Sequence, residues 1–258
     1  MIKVLSYLRL ICLLIIILTS CHKSQPINEI SDLQEKRIGL INYLGGDQQA
    51  NSYFPGANFE AYTNVYEAVN ALKKNKISAI IGDILILKKF VSSSHKLQLL
   101  DNLLWEEEYV FVMRSHNSDL KNNIDKTIHL LAISGIHNDM IKRWFPDQGQ
   151  PEKITNLKLS SKNGVLRFGT VFPNEPFSYF NKEEQSIGYD IEIAYFIAQA
   201  LEMELEVVSL DFYGLIPALL SNRVDFIGGT VTVPEERMKT MLYSEPYYHA
   251  KKGILVKK

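Results

Sequence analysis

The chain has 258 residues, 28 of them Lys or Arg against 29 Asp or Glu, and 46% of it is apolar. So even a charge balance offers no basic face for nucleic acid, which is not expected as a partner. A chain of this length can bury one large core or two smaller ones. With only Cys12 and Cys21 it cannot build a disulfide framework or a Cys-based zinc site, so its stability must come from packing.

Lys3 and Arg9 precede an apolar run from Leu10 to Leu18, well short of the roughly 20 apolar residues that cross a bilayer. The pattern predicts a secretory signal over residues 1–20, with an uncleaved N-terminal anchor as the alternative. Leu18-Thr19-Ser20-Cys21 resembles the lipobox of bacterial lipoproteins. That resemblance implies cleavage before Cys21, acylation of the cysteine with palmitate-like chains, and a protein held on a membrane facing the periplasm or exterior. Cleavage would remove Cys12, Lys3 and Arg9, leaving 26 basic and 29 acidic side chains. Residues 21–32 are polar and lack apolar periodicity, as a tether between lipid and fold would.

Regular structure is expected from residue 33. Arg37 to Ile41 is a β-branched, apolar run before the Gly45-Gly46 turn, and predicts a buried strand. Val65, Ala68, Val69 and Leu72 fall on one helical face, and Ala79-Ile80-Ile81 is a second buried strand, which completes a parallel α/β unit over 33–108. Over 109–146 a strand from Tyr109 to Val112 leads into helices marked by Leu120, Ile124, Ile128, Leu131, and then Ile136, Met140 and Trp144, which Pro146 stops. Residues 147–163 are polar with Gly and Pro and read as a linker. Over 164–258 the α/β pattern restarts: Val165 to Thr170 as strand, a helix facing inward through Ile191, Ala194, Ile197, Ala198 and Leu201, strand Leu205 to Val208, helix Leu215 to Leu220, and strand Asp225 to Gly228. Two α/β clusters predict two lobes with a ligand crevice at the carboxyl ends of strands.

Six segments after the linker carry a specific resemblance. Leu166-Arg167-Phe168-Gly169-Thr170, Pro176-Phe177-Ser178-Tyr179, Ile187 through Ala194, Gly214 through Leu219, Thr232 through Arg237, and Tyr243 through Tyr248 resemble, in order, the first lobe of family 3 periplasmic solute-binding proteins. Leu33 to Ile41, Ala68 to Asp83 and Trp105 to Trp144 look like the rest of that domain, so the halves stand in exchanged order. The resemblance implies a two-lobed periplasmic-binding-protein type II fold, either circularly permuted within one chain or a piece of a tandem array whose halves pair by domain swapping.

It also implies an amino acid, or a related small carboxylate, held between the lobes and handed to the membrane subunits of an ABC importer. Arg237 would grip the carboxylate with two parallel hydrogen bonds, Thr232 would add an N–H and a hydroxyl, and the main chain at Thr230 would accept from the ammonium. Without the resemblance, Arg237 reads as a solvated arginine at a helix start with Thr232 as its cap. Asp83 would hold the ammonium from the opposite lobe, or else only cap the helix that begins at Ile84. Phe212 matches a pocket aromatic, though an aromatic before a helix is often core, and Gly45 would allow close backbone approach. The sequence departs from the family at Asn174, where Tyr or Phe is usual, at Leu44 in place of a threonine, and at Val171 in place of an acid, so the ligand's side chain cannot be read.

No cofactor is expected, and no enzyme. The six histidines are scattered, and neither His-Glu-x-x-His nor Gly-x-Ser-x-Gly occurs. The same fold hosts periplasmic dehydratases, which keeps an enzyme reading open, and a sensor for a signalling partner would share the cleft. Glu106-Glu107-Glu108 reads as a solvated run.

Overall fold

The computed structural model describes residues 27–41, 47–101, 103–145, 157–232 and 240–258. The expected signal peptide and residues 21–26 of the tether, Cys21 among them, lie outside them, as do Leu44, Gly45 and Arg237. The rest of the expected tether is not free chain, because Ile30–Leu33 forms a short 3-10 helix whose Ile30 packs with Leu33. Among the described residues no helix is long and apolar enough to cross a membrane.

The protein is α/β with two lobes, each built on its own sheet and numbered in this chain's own order, the first around Arg37–Asp83 and the second around Val165–Ile227. In the first sheet β1 (Arg37–Ile41) pairs in parallel with β2 (Asn58–Tyr62) and β3 (Ala79–Asp83), and the chain's last strand β13 (Tyr248–Lys257) runs antiparallel between β3 and β4 (Leu97–Leu99). Alternation along these strands divides the apolar residues between the two faces. Ile38, Leu40, Ala79, Ile81, Ile254 and Val256 face Phe54 at the end of α1 (Asp47–Tyr53), together with Leu33, Leu104 and Trp105. Ile80 and Leu255 face the other way, onto Ala68, Val69 and Leu72 of α2 (Val65–Lys73) and Leu87 of α3 (Ile84–Ser92). Each such aliphatic side chain, fully withdrawn from water, contributes about 1.5–3 kcal/mol.

The second sheet has the order β10 (Glu204–Leu210), β7 (Val165–Val171), β11 (Phe226–Ile227), β6 (Val112–Arg114) and β12 (Met241–Tyr243). Phe168, Phe226, Phe111 and Met113 form one face, covered by α4 (Ser118–Ile133), α5 (Ile136–Trp144) and α6 (Tyr189–Ala200). Val112, Val171 and Ile227 form the other, under α7 (Leu215–Leu220). A two-stranded hairpin of β8 (Tyr179–Phe180) and β9 (Ser186–Ile187) precedes α6. The buried Glu192 on α6 clamps α5: Oε1 accepts from Arg143 at 2.8 Å and Oε2 from the Trp144 indole at 2.6 Å. A carboxylate is stable at such depth because charged and polar donors replace water at both oxygens.

The expected division is corrected at two points. Residues 164–258 do not stay in one lobe, because Tyr248–Lys257 enters the first sheet beside β3, where its apolar alternation completes both faces. The strand expected at Tyr109 to Val112 is instead a crossing: β5 (Glu106–Tyr109) pairs with β13, and after Val110 and Phe111 the chain joins the second sheet as β6. Segments from before and after the expected linker therefore interleave in both sheets. Residues 147–156 of that linker lie outside the described residues. The rest of it is anchored, with Asn163 N–H donating to Glu202 O at 3.0 Å and Lys162 Nζ meeting Glu202 Oε2 at 2.6 Å.

Two antiparallel connections thus join the lobes side by side, Val110-Phe111 and Ser244 to Tyr247. They are tied by Ser244 N–H to Phe111 O at 2.9 Å, Tyr247 N–H to Tyr109 O at 3.0 Å, and Phe111 N–H to Ser244 Oγ at 2.9 Å. Phe111 stacks on Tyr247 at 4.3 Å between ring centres, and Tyr109 on Tyr248 at 5.5 Å. A pair of adjacent crossing strands bends about one axis, which is the geometry of a hinge.

Candidate functional site

A narrow cleft of about 20 Å³, partly open to solvent, lies between the lobes. Its first-lobe wall is Ile41, Val65, Asp83 and Ile86, its floor at the crossing strands is Tyr109 and Lys252, and Asn174 and Thr230 face it from the second lobe. The volume is room for about one water, well below that of a small-molecule site, so a ligand of amino-acid size requires the lobes to part. Among the described residues no cluster of His, Cys, Asp and Glu is arranged to hold a metal ion.

Asp83 ends β3 and caps α3. Both roles follow from its place at a strand-to-helix junction: Oδ1 accepts from Leu85 N–H at 2.8 Å, while Oδ2 has no hydrogen-bond partner and the residue is 3% exposed. Burial pushes this carboxyl above its usual range, against the Lys252 charge, the Leu85 N–H and the Tyr248 hydroxyl. A buried carboxylate oxygen without a donor costs about 1–3 kcal/mol or more. An ammonium in the cleft would satisfy it. The capping role and the binding role are therefore compatible, since each uses a different oxygen.

Lys252 is the cross-strand neighbour of Asp83 and points along the floor, with Nζ 3.0 Å from Glu107 Oε2 and 2.9 Å from the Tyr109 hydroxyl. The solvated reading of Glu106-Glu107-Glu108 is corrected for its middle member. Strand alternation turns Glu107 inward, where Oε1 also accepts from the Trp105 indole at 2.7 Å. Glu106 and Glu108 stay exposed opposite Lys251 and His249.

On the second lobe, Thr230 has φ +63, a left-handed conformation that is strained for a β-branched residue. Gly229 before it has φ +97, and a side chain there would meet Val171 N at 2.9 Å. The turn is held from beneath by Asp190, whose Oδ2 accepts from Gly229 N–H at 3.0 Å. The Thr230 hydroxyl donates its proton to Gly229 O at 2.6 Å, so towards a ligand both the hydroxyl oxygen and the main-chain carbonyl of Thr230 can only accept. Asp190 is fully buried, and burial pushes its carboxyl up to about 8, opposed by the Tyr247 hydroxyl and the Gly229 N–H. Gly188, with φ +142, starts this helix within 2.1 Å of Phe177 O measured from where a Cβ would stand, so only glycine fits.

The structure thus brings Asp83, Asn174 and Thr230 to one cleft. Thr232 is half-buried and outside this lining, and Arg237 and Gly45 lie outside the described residues. Phe212 is corrected: it is 4% exposed and packs with Val171, Leu215 and Ile227 in the second-lobe core. It opens the turn into α7, so its ring follows that helix onto the sheet. Sequence reasoning missed Tyr109, Glu107 and Lys252, whose roles depend on the β5–β13 and β3–β13 registers. It quoted Asp190 only within a motif, although an acid inside an apolar helical run was the available signal.

Residues 166–258 match the family model for bacterial extracellular solute-binding proteins, family 3. The "Probable amino-acid-binding protein YxeM" of Bacillus subtilis is 33% identical over 104 residues, covering 40% of this chain and 39% of that protein. "Membrane-bound lytic murein transglycosylase F" of Aliivibrio fischeri is 32% identical over 112 residues, covering 43% of this chain and 22% of that one. Among solved structures, the arginine-bound form of domain 1 from TmArgBP is 33% identical, covering 37% of this chain and 82% of that chain, with a TM-score of 0.32. The aligned part spans between about a fifth and two fifths of the curated relatives' length.

Proposed function

We propose that the chain, whose residues 166–258 match the family model for bacterial extracellular solute-binding proteins, family 3, captures an amino acid between its two lobes. The observation that carries this reading is the buried, unpartnered Asp83 Oδ2 on one wall of a cleft whose other wall is the strained Thr230 turn. The ammonium goes to Asp83, and the carboxylate goes to Arg237 on the segment that follows Thr232. Because the two poles are held by opposite lobes, only the closed cleft satisfies both, and binding selects closure. The chain binds its ligand without transforming it.

In the same reading the protein is a lipoprotein anchored through Cys21 on the outer side of a membrane, and it delivers its ligand to an ABC importer. It is one module with the family's segments in permuted order. Support for that comes from β6 and β13, which complete both sheets within a single chain.

A thermal-shift panel of the common amino acids, each beside its analogue lacking the amine, tests the site. The expected result is a raised melting temperature for at least one amino acid, with Asp83→Asn weakening it about tenfold or more, the worth of one charge-assisted bond. The amine-free analogue should lose nothing. Equal losses for both compounds would remove Asp83 from the site.

A further inference from the structure

The segment that carries Asn174 also reaches across the mouth of the cleft. Glu175 accepts from the Tyr66 hydroxyl on α2, and one of its oxygens pairs with Lys89 on α3. Both partners belong to the first lobe and Glu175 to the second. Each is next to a wall of the cleft: Tyr66 follows Val65, Lys89 is one helical turn past Ile86, and Glu175 follows Asn174.

The parts on either side are rigid. Residues 171–178 are held in shape by Asn174 N–H to Ser178 O at 2.8 Å and Ser178 Oγ to Val171 O at 2.7 Å, and are braced to the rest of the second lobe by Tyr189 N–H to Pro176 O at 3.0 Å and the fully buried Phe177 ring. On the first lobe the Tyr66 ring meets Phe90 edge-on at 5.4 Å, which joins α2 to α3 beneath the contact. Ile86 touches the apolar clusters of both lobes under it. Glu175 is only 16% exposed at its side chain, whereas Lys89 is 40% exposed and contributes less than its geometry suggests.

We propose that Glu175 is a positioning residue that latches the two lobes across the cleft mouth, setting the separation of the Asp83 and Thr230 walls. Closure then draws on bonds between the lobes as well as on the ligand, and the latch limits how large a ligand side chain can project through the mouth. The latch rests on the cleft reading only for its consequence, because it can be tested with no amino acid present.

In the full chain, Val65→Cys puts a thiol on the cleft wall at a position 7% exposed, and Ala79→Cys puts one in the first-lobe core at 0%. Reaction of each with a thiol reagent, read peptide by peptide by mass spectrometry, separates opening of the mouth from unfolding. Glu175→Gln should speed labelling at position 65 about threefold or more, the effect of losing one charge-assisted bond discounted for the exposure of Lys89, and leave position 79 unchanged. Lys89→Glu should act in the same direction, and combining it with Glu175→Lys should restore slow labelling. Unchanged labelling at position 65, or equal acceleration at both positions, overturns the latch.

Discussion

Asp190→Asn isolates one buried proton. The carboxyl is fully buried, and burial raises its pKa from 3.8 to about 8. Between those values the folded chain holds a proton that the unfolded chain has released. Stability is therefore greatest below about pH 4 and is lost as pH rises towards 8, with a slope of about 1.4 kcal/mol per pH unit. The phenols around it do not titrate in this window, since burial holds the Tyr109, Tyr189 and Tyr247 hydroxyls well above their usual range. The amide keeps an oxygen for Gly229 N–H and has no proton to lose. From pH 5.5 to 7.5 the parent should therefore lose roughly 2–3 kcal/mol relative to the variant. Urea denaturation at several pH values measures this through Trp144, which packs in the second-lobe core, once Trp105→Phe has removed the first-lobe signal. A difference that stays flat with pH would mean that the carboxyl is ionised throughout, with the Tyr247 hydroxyl and Gly229 N–H outweighing desolvation.

Glu192→Ala leaves the Trp144 indole and Arg143 without the carboxylate that pairs them, and should destabilise the second lobe by about 3–5 kcal/mol in the same urea assay. A loss below about 1 kcal/mol would mean that water replaces Glu192 freely. Arg237→Ala should abolish amino-acid binding in calorimetry while the urea midpoint stays put; unchanged affinity would take Arg237 out of the site. Cys21→Ser should release the chain from membranes into the soluble fraction, and continued sedimentation with membranes would refute the lipid anchor.

The legible part of this fold is the part governed by local spacing. Val65, Ala68, Val69 and Leu72 make an apolar helical face wherever the helix is placed, and Ile38, Leu40, Ala79 and Ile81 are buried whichever strand lies beside them. The ordered motifs from Leu166 to Tyr248 were legible for a different reason, because six short segments in sequence are a pattern that chance rarely supplies. Asp83 was legible as an acid at the end of a buried strand, where an open α/β sheet turns its side chains towards a crevice. Phe212 was misread because an aromatic before a helix can face either the sheet or the crevice, and local pattern does not distinguish them.

What residue order alone determined is the α/β character of the chain, its apolar faces, and Asp83 as an acid at the end of a buried strand. Tertiary structure decided that Tyr248–Lys257 crosses into the first lobe, that Lys252 stands beside Asp83 and pairs with Glu107, and that Glu175 meets Tyr66 and Lys89 across the mouth. Each of these joins residues far apart in the chain. Such contacts are selected by the register of distant strands and the packing of whole lobes, which no short window of sequence contains.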